Sequence, residues 1–400
     1  MRFLGSDGRL LHLAYCTNVH PGEDLDSILA GLRDVSAALR AELRPTGELG
    51  IGLYLPSAAA REVEASAARF DDLRRELDRG GLYVATMNAF PFGAFHAARV
   101  KEEVFRPSWA EPARLEHTLR CARLLERLAP LDVQPCLSTH TGGWRPWGQE
   151  EGFGAAVRRG LESARRSLEG FSREILLALE PEPDSMLEST TELADFLVEE
   201  RERRGGSLEA QRLAVCLDTC HAAVLFESAD LVERALRGRA RVAKLQLSSA
   251  LELSEPGAAA AARRELASWR EPRWFHQVRG QARDGAILGA SDLPALLDAE
   301  PSAEWLACRA WRVHFHVPIF AETIGALATT RTTLVELFER AVRQDWTRVF
   351  EVETYTFDRL PADLRGGSGS GALTRCLERE LRSAQAILER LGFRPGERSR

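Results

Sequence analysis

With 400 residues, 44% of them hydrophobic and 28% charged, the chain has the make-up of a soluble globular protein, long enough for one large α/β domain or two ordinary ones. Its net charge of −6, with acidic and basic residues interspersed, speaks against a protein built chiefly to grip nucleic acid. No apolar run approaches the roughly 20 residues of a membrane span, and seven scattered cysteines behind a start without a secretory pattern set the expectation of a reducing, cytoplasmic location.

Short β-prone runs alternate along the chain with longer segments of helical period. LLHLAYCTN (residues 10–18) is followed by a helix over 24–43, where Leu25, Ile28, Leu29, Leu32, Val35 and Leu39 share one face. LGIGLYLP (49–56) precedes a charged helix through 57–79. GLYVATMNAFP (81–91) is the third run, and a loop rich in Phe, Pro and Trp leads to a helix around 111–128. LDVQPCLSTH (131–140) comes before a helix at 151–170. REILLALEPEP (173–183), RLAVCLDTC (212–220) and VAKLQLSSA (242–250) supply runs five to seven, and TRVFEVETYTF (347–357) the eighth.

Eight β units separated by helices predict an α/β fold, a single closed parallel (β/α)8 TIM barrel. An open doubly wound sheet is the alternative, but no G-x-G-x-x-G or G-x-x-x-x-G-K-[ST] follows the first strand. Residues 251–340 are too many for one crossover. They read as an elaborated region between strands seven and eight, with an extra extended segment at 311–319. One domain is expected over 1–400, ending in an amphipathic helix (373–391) and a frayed tail (394–400).

In such a barrel the active site forms at the C-terminal ends of the strands. Those ends carry Asn18 and His20, Asn88, His140, Glu180 with Glu182, Asp218 with His221, Gln246 with Ser248 and Ser249, and Glu351 with Glu353. The extra segment adds His314 and His316. Seven of the nine histidines lie at or near such ends or in the elaborated region, whereas histidines scattered at random would also fall on helices. Carboxylate oxygens and neutral imidazoles at one mouth suit a divalent cation such as Mn, Zn, Fe or Mg. The two-residue strand period places His314 with His316 on one face and Glu351 with Glu353 on another.

Structural readings compete at several of these positions. Asp218 is also a good helix N-cap, and His140 suits an ordinary loop. Trp144 and Trp147 in GGWRPWG serve equally as packing or as a platform for a ring. Lys244 fits either a substrate contact or a buried ion pair. Cys216 and Cys220 have the wrong spacing for a structural zinc site.

These strand-end residues resemble the xylose-isomerase-like barrel superfamily, which includes sugar epimerases and the endonuclease IV group. That superfamily places a Glu after strand five, an Asp-x-x-His after strand six, a His after strand seven and a Glu after strand eight. Glu180 in LALEPEP, Asp218 with His221 in LDTCH and Glu353 in EVETY fit. KLQLSS departs by putting Gln246 where a histidine would stand, so the resemblance implies weaker metal binding there or recruitment of His314 or His316. More closely, YCTNVHPGE, NAFPFGAFH, LEPEP, CLDTCHAAV, KLQLSSAL, HFHVPI and EVETYT resemble the EboE family over residues 15–356. Those metabolite traffic proteins come from bacterial gene clusters linked to export of natural-product precursors. STHTGGW departs from that family's pattern at His140.

The leading functional expectation is a metal-dependent isomerase or epimerase acting on a small polyhydroxylated metabolite. Glu180, Asp218, Gln246, His316 and Glu353 would hold the cation. Glu180 and Glu353 would act as base and acid, and His221 would steer Asp218 or a substrate hydroxyl. His20, Asn88, His140, Trp144, Lys244 and His314 would contact substrate. One alternative is a non-catalytic metabolite carrier on the same barrel. Another is a phosphodiesterase resembling endonuclease IV, which needs a two- or three-metal cluster and a basic groove. The expected partner is a small molecule, with neither nucleic acid nor a membrane.

Overall fold

The computed structural model describes residues 1–44, 46–93, 95–369 and 371–396. The eight runs form strands β1 (Leu10–Cys16), β2 (Leu49–Tyr54), β3 (Leu82–Asn88), β4 (Cys136–His140), β5 (Leu176–Glu180), β6 (Leu213–Asp218), β7 (Val242–Leu247) and β8 (Val349–Val352). Each is parallel to its neighbour, and β8 pairs with β1 from Val349–His12 to Val352–Tyr15, which closes the sheet into a barrel. That closing ladder excludes the open-sheet alternative. Strands covered on both faces read as nearly continuous apolar runs, and every residue of β6 is buried. Helices lie against the outer face through stripes spaced by three and four residues. In the helix Phe153–Leu168, Val157, Leu161, Ala164 and Leu168 are the buried set.

The barrel interior carries polar and small residues. Lys244 of β7 and Glu351 of β8 form an ion pair with no exposed surface on either side chain. Gly52 of β2 leaves the space that Glu351 fills, because a Cβ there would overlap the Glu351 carboxylate. Outside the barrel, Arg2–Gly5 pairs antiparallel with β1 and with Phe393–Gly396. Residues 394–396, expected to fray, are therefore held in a ladder, and 397–400 lie outside the described residues.

The elaborated region is a second sheet rather than a loop with one extended segment. Its six antiparallel strands run in the order Ile287–Ala290, Val278–Gln281, Ala310–Val317, Ser249–Ser254, Leu327–Thr329 and Thr323–Ile324. It owns a separate apolar core that includes Leu251, Leu253, Leu266, Val278, Leu293, Trp311, Val313 and Phe315. The strand Ala310–Val317 shows how sequence sets direction. Trp311, Val313, Phe315 and Val317 enter this core, so His314 and His316 between them face the barrel mouth. Among the described residues no helix is long and apolar enough to cross a membrane.

Beside the barrel, buried Glu227 braces the first residue of the helix Thr190–Glu202, whose N-cap is Ser189. Glu227 accepts from Thr190 N (3.0 Å) and Thr190 Oγ1 (2.7 Å). Burial pushes its carboxyl from 4.5 up to about 7. A carboxyl whose pKa is higher in the folded state favours folding while protonated, and that contribution is lost as pH rises from about 4.5 through 7. Urea unfolding should therefore show wild type losing about 3 kcal/mol relative to Glu227→Gln between pH 4 and pH 8. A difference between the two proteins that stays flat with pH would contradict this.

Candidate functional site

Glu180 ends β5, Asp218 ends β6, and Glu353 follows β8 by one residue. All three are buried, and one carboxylate oxygen from each lies within 4.8 Å of the other two. Asp218 serves as cap and site member at once. Its Oδ1 accepts from Cys220 N (2.7 Å) and His221 N (3.0 Å), while Oδ2 has no partner among the described residues. Glu353 is held on both oxygens: Oε1 accepts from Asn18 Nδ2 (2.7 Å) and Asn88 Nδ2 (3.1 Å), and Oε2 from Gln246 Nε2. The Asn88 amide orientation is fixed, since its Oδ1 accepts from Phe90 N (2.9 Å). Glu180 is held loosely, with Oε1 3.6 Å from His221 Nδ1 and Oε2 unpartnered.

Burial, and then mutual repulsion, set the acidities. Glu180 is pushed well above the carboxylate range by burial and by Glu353 and Asp218. Burial with Glu351 and Asp218 takes Glu353 to about 8, and burial raises Asp218. Lys244 contributes an opposing charge, but its ammonium is bonded to Glu351. Three converging carboxyls with two orphaned buried oxygens fit a divalent cation, whose charge offsets the repulsion that otherwise keeps protons on them.

Beside this group, His221 from the turn after β6 meets His314 and His316 from the second sheet. Their Nε2 atoms stand 3.1 Å (221–314), 3.0 Å (314–316) and 3.3 Å (221–316) apart. Burial keeps all three neutral, pulling His221 down to about 3 and His316 to about 4, with His314 also well below the usual range.

Both groups border a partly open cavity of about 50 Å³, room for about four waters. Asn18, Asn88, Glu180, Glu182, Glu353 and the three histidines form its polar side. Phe90, Pro91, Phe95, Val104 and Tyr355 supply the rest of the lining, with the Tyr355 ring 4.5 Å from that of His316. Of the expected site residues, Glu180, Asp218, Glu353, His221, His314, His316 and Asn88 come together here.

The others do not. His20 follows the helical turn Thr17–Val19, which carries it outward onto Tyr15 Oη (3.1 Å) and against Gly31. His140 is pinned between Phe90 and Phe105, bonding Pro107 O (3.3 Å) and accepting from Gly142 N (3.2 Å). Trp144 stacks on Phe275 away from the cavity. Lys244 lies deeper in the barrel, sealed onto Glu351. Gln246, expected as a cation ligand, is engaged by the Cys216 thiol at one end and Glu353 at the other, so it positions a carboxylate instead.

Four contributors carried no assigned role in the sequence: Asn18 and Glu182, named there only as strand-end residues, Tyr355 and Gln277. Tyr355 lies two residues past Glu353, a spacing that the strand period could have flagged. Glu182 stands in the same relation to Glu180. Gln277 precedes a four-residue strand too short to show alternation, and it accepts from His314 Nδ1 (2.6 Å).

No protein-family model and no curated protein sequence matches the chain. Several solved structures are similar over nearly its whole length. One is a xylose isomerase-like TIM barrel protein from Mycobacterium smegmatis in complex with magnesium, at 12% identity over 94% of this chain and 98% of that one, with a TM-score of 0.50. A second is a D-psicose 3-epimerase in the presence of D-fructose, at 12% identity over 95% and 98%, with a TM-score of 0.49. A third is a xylose isomerase domain protein from Alicyclobacillus acidocaldarius, at 14% identity over 94% and 99%, with a TM-score of 0.48. The fold of this chain is that of the xylose-isomerase-like TIM barrels.

Proposed function

We propose that this protein is a metal-dependent isomerase or epimerase acting on a small polyhydroxylated metabolite. The observation that carries the reading is the convergence of Glu180, Asp218 and Glu353 on one point beside a small cavity. These three would hold the cation. Gln246 has its amide committed to Glu353, and His316 faces the other histidines. A divalent ion bound there supplies Lewis-acid polarisation of a substrate carbonyl, which acidifies the neighbouring C–H.

The remaining work falls to the chain. Glu180, with one oxygen free of protein partners, is the group placed to take a proton from carbon and return it. Glu353, fixed by three amide donors, keeps its position while a substrate changes charge. His221 Nδ1 donates to Pro181 O (3.1 Å) and borders Glu180, orienting the base. Phe90, Phe95 and Tyr355 keep bulk water from the reacting carbons. A six-carbon sugar exceeds the present cavity, so its admission requires this wall to move outward. The motif resemblance to the EboE proteins supports a substrate among natural-product precursors.

The test is isotope exchange. Protein loaded in turn with Mg, Mn, Zn and Co is incubated in D2O with a panel of ketoses and hydroxyketones, and NMR follows deuterium at the carbon beside the carbonyl. Protein-dependent exchange is the expected result. Ligand binding without exchange for every metal and substrate would replace this reading with the carrier one.

A further inference from the structure

The connection between β3 and the helix Pro112–Leu128 is rich in phenylalanine and valine, and its backbone is anchored at its base and farther out. Arg114, fully buried, donates to Ala89 O (2.7 Å) and Phe90 O (2.9 Å) at one end and to Pro107 O (2.8 Å) at the other. Farther out, Trp274 Nε1 donates to Phe95 O (3.1 Å), and Val100 N and Lys101 N donate to Arg273 O (2.6 and 3.0 Å). Between these fixed points the connection has space on two sides. Inward, Pro91, Phe95 and Val104 border the small cavity at the carboxylates. Outward, the same three residues, with Phe92, Ala97 and Val100, border a larger open recess of about 470 Å³. Pro91, Phe95 and Val104 thus form the partition between the two.

The recess differs from the inner cavity in what it can hold. Among the described residues lining it, no side chain carries a hydroxyl, an amide or an imidazole. Its charges are matched: Arg106 stands 3.7 Å from Glu103 and 3.8 Å from Glu111, and Arg99 stands 3.1 Å from Glu102. A sugar hydroxyl loses water there without gaining a partner, whereas an apolar group gains by leaving water. Apolar cavities of about 150 Å³ hold a benzene ring, so this volume accepts a ring or an alkyl chain.

We propose that the recess receives an apolar substituent, aryl or alkyl, of a substrate whose oxygenated end lies at Glu180, Asp218 and Glu353. The inference rests on the isomerase reading for that oxygenated end, and it makes the substrate amphipathic rather than a free sugar. The substituent reaches the recess when the Phe95 and Val104 side chains turn aside, while the anchored backbone stays in place.

The probes are 1-hydroxy-2-alkanones, from hydroxyacetone to 1-hydroxydecan-2-one, titrated calorimetrically into the full-length, magnesium-loaded protein. Affinity should climb along the series by up to about fourfold per methylene, the gain for burying one. The terminal methyl of the longer members should give NMR contacts to Val100, which borders the recess and not the inner cavity. Ala97→Trp, which fills the recess, should flatten the climb; if that variant does not fold, the Val100 contact decides. Affinity independent of chain length, a climb that survives in Ala97→Trp, or binding by no member of the series overturns the inference. Isotope exchange on the same ligands separates it from the isomerase reading. A climb without exchange keeps the recess and removes the isomerase, and exchange without a climb does the reverse.

Discussion

Lys244→Met is expected to cost about 3–5 kcal/mol of folding stability, the largest single-site loss in the barrel. Lys244 and Glu351 have no exposed surface, and the lysine ammonium is bonded to a Glu351 oxygen. Burial works against the lysine charge, but Glu351 more than offsets it and holds the ammonium protonated. Removing the ammonium strands Glu351 among Gly52, Thr86 and the barrel wall, with its other oxygen already unpartnered. The double variant Lys244→Met/Glu351→Leu should recover most of the loss, because removing both charges removes the desolvation penalty as well. Denaturant unfolding of the four proteins in the cycle measures this. A single variant within about 1 kcal/mol of wild type would show that the pair is not the electrostatic anchor described here.

Glu180→Gln is expected to slow isotope exchange by about 10²–10⁴-fold, the usual contribution of a positioned acid or base. A glutamine keeps the size and one acceptor oxygen but cannot carry the proton. Glu353→Gln should act differently. Its new amide would face the Asn18, Asn88 and Gln246 donors, so cation content should fall along with exchange. Metal analysis alongside NMR exchange separates the two. Equal cation loss in both variants would make Glu180 a ligand only, and unchanged ligand affinity with no exchange in wild type would favour a carrier.

The barrel was legible because parallel strands buried on both faces leave short apolar runs whose spacing matches the helices between them. The directions of individual strand-end residues were less so. Position in a run gives height on the barrel, and a single helical turn such as Thr17–Val19 is enough to swing His20 out of the mouth. Lys244 reads in the sequence as a substrate contact or, equally, half of a buried ion pair; it is the ion pair, and its depth below Gln246 has no local signature. The WRVHFHV alternation did announce two histidines on one face. Their sheet stayed hidden, since four of its strands are only two to four residues long and show no period. His221 was paired with Asp218 by the superfamily spacing, but its facing partners lie about 95 positions away and no local pattern links them.

The two apolar cores have a consequence for how the centre is assembled. His221 belongs to the turn after a barrel strand, whereas His314 and His316 alternate with residues packed into the core of the second sheet. Whatever bonds across that seam fastens two separately built bodies, and its affinity includes the free energy of seating one on the other. The chain should therefore breathe first along this junction, where His221 meets His314 and His316.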